Sequence, residues 1–557
     1  MRIRDRPDAY LAATRRGTQR LVTDTRAERR KKWLQARREL KKLRRTGVFV
    51  GHDATGWPLF SASQGGILLL GGGRSGKGKF ILTTQLNSGY AGDIVIIDPK
   101  EAENTYQLNK LVKRHIVVFM TQEMPGLGVS ASTNIWSHLK PGEKLVAFAR
   151  IAAADFLGYT GDKHAQYFEV GGRERFLTPV LVHLADKEGE VSVPRTAHLF
   201  LEFQSNSPEW ASVEYEMHFS QYPFVRAMAE KFRKFRTEGF GRGGEEGMLG
   251  EVLNAFVSLN DPRNSRMLSP PYSFDMSVLG KEPDPDDWPY TVVMAKPTLE
   301  IKQGDAALVR GFISRIMHEK RTNPLAREAL CVCEEAGHLA PFEGLVNGFT
   351  EAAGFNWRQE VVLQSPSQGD ELASDGFSKM ANSAAAHIVM GIRDIDVGDH
   401  YSKRLGEAQV EFQDLGKIAR ARLERKEAQQ RAWRGEVDAF NAVREMRVAE
   451  AQVEVESRPL RYPAELINME RDRGFIWMDE IVGAIDAKFR PFWDVLKPGD
   501  YLDNPQFWRT NGKDRVIVKR RLGGTTTREV EAVPVPEEFQ DCFHFKNGRM
   551  PARRVKK

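Results

Sequence analysis

The residues best suited to chemistry stand early in the chain: Gly71, Gly72, Gly73, Arg74, Ser75, Gly76, Lys77, Gly78 and Lys79. Glycines at this density let a backbone curl until its N–H groups point inward, a concave set of donors that fits phosphate. A lysine closing such a turn places a cation on β- and γ-phosphate oxygens, and a helix starting there adds its positive end. The spacing is GxxxxGK, that of a phosphate-binding P-loop. It stands where such a loop must stand, after the apolar run Ile67–Leu70 and before a helix expected over residues 77–87. Residues 71–79 are therefore the candidate nucleotide-binding set, for ATP, and Lys77 is also a candidate catalytic residue. Gly78 departs from the general motif, because it replaces the Ser or Thr hydroxyl that binds Mg2+. The competing reading is a tight strand–helix turn that binds nothing.

A loop of this kind needs an acidic pair at the end of a later apolar strand. Ala329-Leu-Cys-Val-Cys-Glu334-Glu335 supplies one. Glu334 is the candidate for the Mg2+ shell, one methylene longer than the usual Asp, and Glu335 for polarising the attacking water. Taken alone, the pair reads equally well as surface carboxylates closing a strand. Gln364 follows Val361-Val-Leu363, where an amide can sense γ-phosphate or position water. Asp98-Pro99-Lys100-Glu101 follows another apolar strand and by itself reads as a turn.

The elements that must hold these residues follow from apolar runs. Ile67–Leu70, Asp93–Asp98, His115–Met120, Tyr290–Met294, Ala329–Cys333, Val361–Leu363 and His387–Gly391 read as buried strands. Continuous apolar character, with helices between the strands, predicts an α/β fold with a mostly parallel sheet covered on both faces. Between about 145 and 265 the strand signal fades, and helices are expected, among them Tyr167–Ala185 and Met248–Leu259. Residues 415–456, rich in Ala, Glu, Arg and Gln, read as an exposed helix or helical hairpin, and residues from about 500 onward as irregular. The expected divisions are a basic helical arm (1–46), a nucleotide-binding domain in two parts (47–145 and 266–500), an all-α insertion between them (146–265) and a C-terminal extension (501–557).

A chain of 557 residues holds roughly two to four domains. Its 41% hydrophobic and 28% charged residues are those of a globular protein, which excludes disordered and collagenous classes. Three cysteines form no disulfide framework and no CxxC pair for zinc; Cys331 and Cys333, on one face of a strand, read as buried reduced thiols. No run approaches the roughly 18 apolar residues of a membrane helix, and the N-terminus lacks an apolar signal core, so a cytoplasmic location is expected. The overall charge of +7 is unevenly placed: residues 1–47 hold 17 Lys and Arg against 5 Asp and Glu, a net +12, which leaves −5 for the rest. That arm is either a solvated helix packed on its own body or a contact for nucleic acid, anionic lipid or an acidic partner.

The motif order resembles the coupling-protein ATPases of type IV secretion and conjugation, the VirD4/TraG group. The residues that carry this are Gly72-Gly-Arg-Ser-Gly-Lys-Gly78, then Ile97-Asp-Pro-Lys-Glu101, then a helical insert, the strand ending in Glu334-Glu335, and Leu363-Gln-Ser-Pro-Ser-Gln368. Looser echoes are Asn134-Ile-Trp136, Gly391-Ile-Arg-Asp394 and Tyr401-Ser-Lys-Arg-Leu-Gly-Glu407. The resemblance spans about residues 47–490, and within it a glycine at position 78 is a family trait. It implies a RecA-like P-loop domain with an inserted all-α domain, assembled as a homo-hexamer. ATP hydrolysis would move a relaxase-bound, single-stranded DNA toward the secretion channel, and the insert would recognise relaxase or other cargo. Two departures stand out: Glu-Glu replaces the common Asp-Glu, and no transmembrane segment precedes the motor. A soluble variant recruited to the inner face of the membrane, through its arm or a partner, is the expectation. Arg358 and Arg393 are candidate arginine fingers, each also readable as structural.

Three further readings compete. One is a HerA/FtsK-like motor on double-stranded DNA, separable by strand preference. Another is a nucleotide-binding adaptor without turnover, which docks cargo through the insert. A third, a DNA-binding scaffold, would rest on the basic arm alone.

Overall fold

In a computed structural model the described residues are 38–40, 42–100, 102–108, 113–120, 129–158, 170–240, 244–351, 354–412, 423, 425–427, 429–435, 454–497, 500–501, 513–519, 525–534 and 549–551. The chain divides into two compact units, residues 1–391 with 471–557, and residues 392–470.

The first unit is built on a nine-stranded sheet. In chain order β1 (Val48–His52) and β2 (Pro58–Ser61) form a separate antiparallel hairpin. The sheet itself contains β3 (Ile67–Gly71), β4 (Asp93–Asp98), β5 (His115–Met120), β6 (Tyr290–Ala295), β7 (Ala329–Cys333), β8 (Trp357–Leu363) and β9 (Ala386–Met390), all parallel. The second unit holds the hairpin β10 (Glu407–Phe412) and β11 (Glu454–Pro459). The first then resumes with β12 (Arg473–Met478) and β13 (Ile481–Lys488), which extend the sheet antiparallel to β9. The spatial order is β13-β12-β9-β3-β8-β7-β4-β6-β5. Parallel strands buried on both faces demand continuous apolar runs, and β3, β4 and β7 are buried at every position. This is the expected α/β architecture, with a P-loop strand near the middle.

Helices fill the long connection from β5 to β6: Leu145–Leu157, Thr178–Glu188, Val193–Gln204, Pro208–Met217, Pro223–Glu238 and Glu245–Ala255. Ser192 and Ser207 cap two of them by accepting from Arg195 N and Trp210 N, each with proline in the first turn. Phe203, Trp210 and Phe232 meet edge to face or tilted, with centroids 4.9–5.3 Å apart, as the insert's own core. Arg310, on the helix Ala306–Thr322, donates to the carbonyls of Asp155, Phe156 and Leu157 at 2.8–3.0 Å. These are the orphan acceptors at the end of Leu145–Leu157, so a buried guanidinium ties that helix to Ala306–Thr322.

In the second unit Asp394 Oδ1 caps the helix Ile395–Leu405 by accepting from Asp396 N and Val397 N, and that helix packs on Pro463–Ile467. The expected helix over 415–456 lies largely outside the described residues; 425–427 and 429–433 are helical, and Glu454–Glu456 belong to β11.

The C-terminal region differs from expectation. The described residues from 513 onward are not irregular: β14 (Lys513–Lys519), β15 (Thr525–Pro534) and β16 (Arg549–Pro551) form an antiparallel sheet. Val516-Ile-Val518 and Thr525-Thr-Thr527 supply the β-branched residues that favour extension. The edge pair β12–β13 was likewise not expected. The basic arm, residues 1–46, lies outside the described residues except for 38–40 and 42–46, which are helical. No helix among the described residues is long and apolar enough to cross a membrane.

Candidate functional site

β3 ends in the glycine loop between its neighbours β8 and β9. The loop turns through left-handed conformations at Arg74 (φ 60°) and Gly76 (φ 90°). At Gly76 glycine is obligatory twice over, because a Cβ would also lie 2.7 Å from the Phe80 ring. Gly72 packs against the carbonyl of Gly391, at the end of β9, where a Cβ would come within 3.0 Å. Arg74 is exposed at the tip. The helix begins at Gly78, wound as a π-helix to Leu82, and continues through Thr83–Leu86.

Lys77 is folded back over the loop. Its Nζ donates to Gly71 O at 2.7 Å and Gly72 O at 3.4 Å, and the residue is 5% exposed. Burial and the nearby Lys100 lower its pKa to about 8, against the opposing pull of Glu334 and Glu335. Ser75 Oγ is buried and has no hydrogen-bond partner among the described residues. A phosphate oxygen is the partner such a hydroxyl suits. Lys79 is engaged differently, its ammonium 4.8 Å from the Phe80 ring centroid and 5.0 Å from that of Trp493.

The acidic pair lies at the end of β7, two strands from β3. Glu334 is buried; its Oε1 takes an ion pair from Lys100 and its Oε2 accepts from Asn104 Nδ2 at 2.6 Å. Glu335 stands in the left-handed region at φ 52°, a conformation that costs a non-glycine residue energy and that neighbours must hold. His338 Nε2 meets Oε2 at 3.1 Å, Gln364 Nε2 donates to Oε1 at 3.3 Å, and Lys100 lies 3.6 Å from the same oxygen. Gln364 is itself oriented: its backbone N–H donates to Gln368 Oε1 at 2.7 Å, and its own Oε1 is 3.8 Å from where a Cβ on Gly73 would stand. Gln364 thus touches Glu335 on one side and borders the P-loop on the other.

Asp98 closes β4 next to this pair. Its Oδ2 accepts from the Thr105 backbone and hydroxyl at 2.9 and 2.8 Å, and burial raises its pKa to about 7, with Glu334 adding to the rise. Burial opposes the Lys100 ammonium, but Glu334 and Glu335 outweigh it and hold its pKa above the ordinary lysine value. Two carboxylates converging on one positive charge are a donor set that suits a divalent cation, with Glu334 and Glu335 as the oxygens and nothing from Gly78.

The structure therefore brings Gly71–Gly78, Glu334, Glu335 and Gln364 to one end of the sheet. It adds Lys100, Asn104, His338 and Gln368. Lys100 and Gln368 lay within quoted motifs without an assigned role; His338, three residues after Glu335, carried only a spacing signal, and Asn104 carried none. Arg358 is buried within the fold: it donates to Ser61 O and Ala62 O at 3.3 and 3.0 Å and pairs with Glu328 at 3.0 Å. Arg393 is exposed, in the second unit. Cys331 and Cys333 are free, buried thiols.

Comparison with known proteins bears on the fold. A family described as the TraM recognition site of TraD and TraG matches residues 328–471, about a quarter of the chain. The bacterial conjugative coupling protein TrwB lacking its first 70 residues is similar in structure, with a TM-score of 0.56, 14% identity, and coverage of 81% of this chain and 92% of that one. TrwB bound to the GTP analogue GDPNP gives a TM-score of 0.54 at 14% identity, over 83% of this chain and 95% of that one. TrwB with ADP and Mg2+ gives 0.54 at 14% identity, over 81% and 92%. No curated protein matches in sequence. At these identities the likeness is one of fold. In that fold, and in the segment from Glu328 to Arg471, the chain is TraG/VirD4-like, similar to the conjugative coupling proteins.

Proposed function

We propose that this chain is an ATP-driven DNA translocase of the coupling-protein kind, which delivers a relaxase-bound strand to a type IV secretion channel. The observation that carries the ATPase reading is the bridge Gln364–Glu335 beside Lys77, three residues from three strands meeting at one sheet end. TrwB, solved with an ATP analogue and with ADP and Mg2+, supports nucleotide and magnesium as the ligands. The family match to a TraM recognition site supports a partner in the transfer apparatus.

In this reading Lys77 exchanges the Gly71 and Gly72 carbonyls for β- and γ-phosphate oxygens, and Ser75 Oγ gains the partner it lacks. Glu335 receives the proton of the attacking water at a carboxylate oxygen, with His338 and Gln364 fixing its direction. Gln364, bordering Gly73, registers loss of the γ-phosphate and passes it to Glu335 and the segment Ser365–Gln368. A divalent cation, when bound, spreads the charge of the β- and γ-phosphates; Glu334 is the residue to hold it. A homo-hexameric ring would contact DNA through phosphates, so binding should be sequence-tolerant and salt-sensitive.

The test is the steady-state ATPase rate with no DNA, single-stranded DNA and duplex DNA, with Lys77→Ala as blank. Stimulation by single strands, absent in the blank, is the expected result. Preference for duplex would move the reading to a HerA/FtsK-like motor. Nucleotide binding without turnover in any condition would replace it with the cargo-docking adaptor.

A further inference from the structure

Lys100 has no part in the chemistry just described, yet its ammonium sits against both residues of the acidic pair. Its ammonium is paired with Glu334 Oε1 and lies 3.6 Å from Glu335 Oε1. The other oxygen of Glu334 is taken by Asn104. Both oxygens of the residue best placed to hold a divalent cation are therefore already bonded. A carboxylate so buried needs a counter-charge, and Lys100 is the one provided.

We propose that Lys100 is a cation gate on Glu334: its ammonium and the divalent cation exclude one another there, so the metal binds by displacing it. This rests on the ATPase reading of the site. Two positive charges on one carboxylate oxygen, with little water between them, repel strongly. Gly78 offers no hydroxyl to help the metal, so the competition is weighted toward Lys100 for a metal ion alone. A triphosphate changes the balance. Its negative charges offset both cations, and Lys100 already stands close enough to Lys77 to lower its pKa, so a triphosphate on the loop draws on the same ammonium. The gate thereby makes metal occupancy depend on nucleotide, and keeps the acidic pair from holding a metal ion without its substrate. The Lys100 side chain is about one-third exposed, which leaves it room to swing away without repacking the core.

The experiment is titration of the full chain with Mn2+ alone, read by electron paramagnetic resonance. The forms compared are wild type, Lys100→Met, Lys100→Arg and the double variant Lys100→Met, Glu334→Gln. The expected result is one Mn2+ bound about five- to a hundred-fold more tightly in Lys100→Met, unchanged affinity in Lys100→Arg, and loss of the gain in the double variant. Lys100→Gln, which keeps a donor but no charge, should shift in the same direction and serves if the methionine packs poorly. No tightening in either neutral variant overturns the gate, and so does a gain that survives Glu334→Gln. Binding of a fluorescent ATP analogue with Mg2+ to the wild type, measured alongside, reads the parent assignment. If it fails, the ATPase reading falls, while the Mn2+ titration still decides Lys100.

Discussion

Replacing Glu360 with glutamine should change how the sheet's stability depends on pH. Glu360 is fully buried in β8, level with Ile67 of the P-loop strand on one side and with Val332 of β7 on the other. Burial raises its pKa from 4.5 to about 8, and neither carboxyl oxygen has a hydrogen-bond partner among the described residues. The folded chain thus keeps the proton while the unfolded chain loses it above pH 4.5. The contribution is full below that value and is lost as pH rises toward 8. Each pH unit in the window from 4.5 to 8 costs the fold about 1.4 kcal/mol, and by pH 7.5 the penalty is about 4 kcal/mol. Glu360→Gln is neutral throughout, so it escapes the penalty, at the expense of about 1–2 kcal/mol for an added N–H with no built partner. The variant should be the less stable form near pH 5 and the more stable one above pH 7. In a protein of several domains one melting temperature does not isolate this, so the assay is hydrogen exchange of β3 and β8 peptides from pH 5 to 8.5, which reads the opening free energy of that part of the sheet. Opening free energies of the two forms that run parallel across the range would refute the argument.

Three further outcomes are expected. A Cβ on Gly78 meets no atom within 4 Å; Gly78→Ser should fold normally and tighten nucleotide binding at limiting Mg2+, and an unchanged Mg2+ dependence would show that the hydroxyl does not reach the metal. Lys77 must be charged to hold phosphate, and its pKa is about 8; nucleotide affinity should therefore fall above that pH by up to about tenfold per unit, with proton uptake on binding visible by calorimetry in buffers of different ionisation enthalpy. Arg358→Ala should unfold or aggregate, since removing one partner of a buried pair costs about 3–5 kcal/mol. A well-folded Arg358→Ala chain without turnover, restored by mixing with Lys77→Ala subunits, would instead make Arg358 a finger acting between subunits.

How legible the site was in the sequence depends on what each residue is buried against. The P-loop was legible because its glycines answer local demands: a left-handed turn at Gly76 and a close approach at Gly72. β3, β4 and β7 were legible because strands buried on both faces must be apolar throughout. The first half of β8 was not. Arg358, Gln359 and Glu360 look like loop residues, and only the fold supplies their partners: the carbonyls of Ser61 and Ala62 for Arg358, and Trp357 Nε1 and Cys331 O for Gln359. Lys100 and Asn104 were out of reach for a different reason, since each finds Glu334 across more than 200 residues of chain. The C-terminal strands are rich in charged and Thr residues, and their apolar runs, such as Val516-Ile-Val518, are no more than three residues long, so they lack the apolar continuity that marked the others.

The strand order explains how three motifs separated by nearly 300 residues come to one end of the sheet, where the proposed function has them act on one ligand. β3 and β7 are not neighbours; β8 lies between them, with Leu70 level with Leu363 and Cys333 level with Val361. The P-loop and Glu334-Glu335 therefore leave a gap one strand wide at the sheet end. The residue that follows β8 is the one that fills it, and that residue is Gln364. Its side chain reaches Glu335 and borders Gly73 from the same position, so a shift of the P-loop by a fraction of an ångström bears on the carboxylate directly. A residue anywhere else on the sheet would face one motif or the other. Moving the amide by one residue along β8 would turn it to the opposite face, so in the proposed function position 364, and not the surrounding Ser-Pro-Ser, is the point at which nucleotide state passes from β3 to β7.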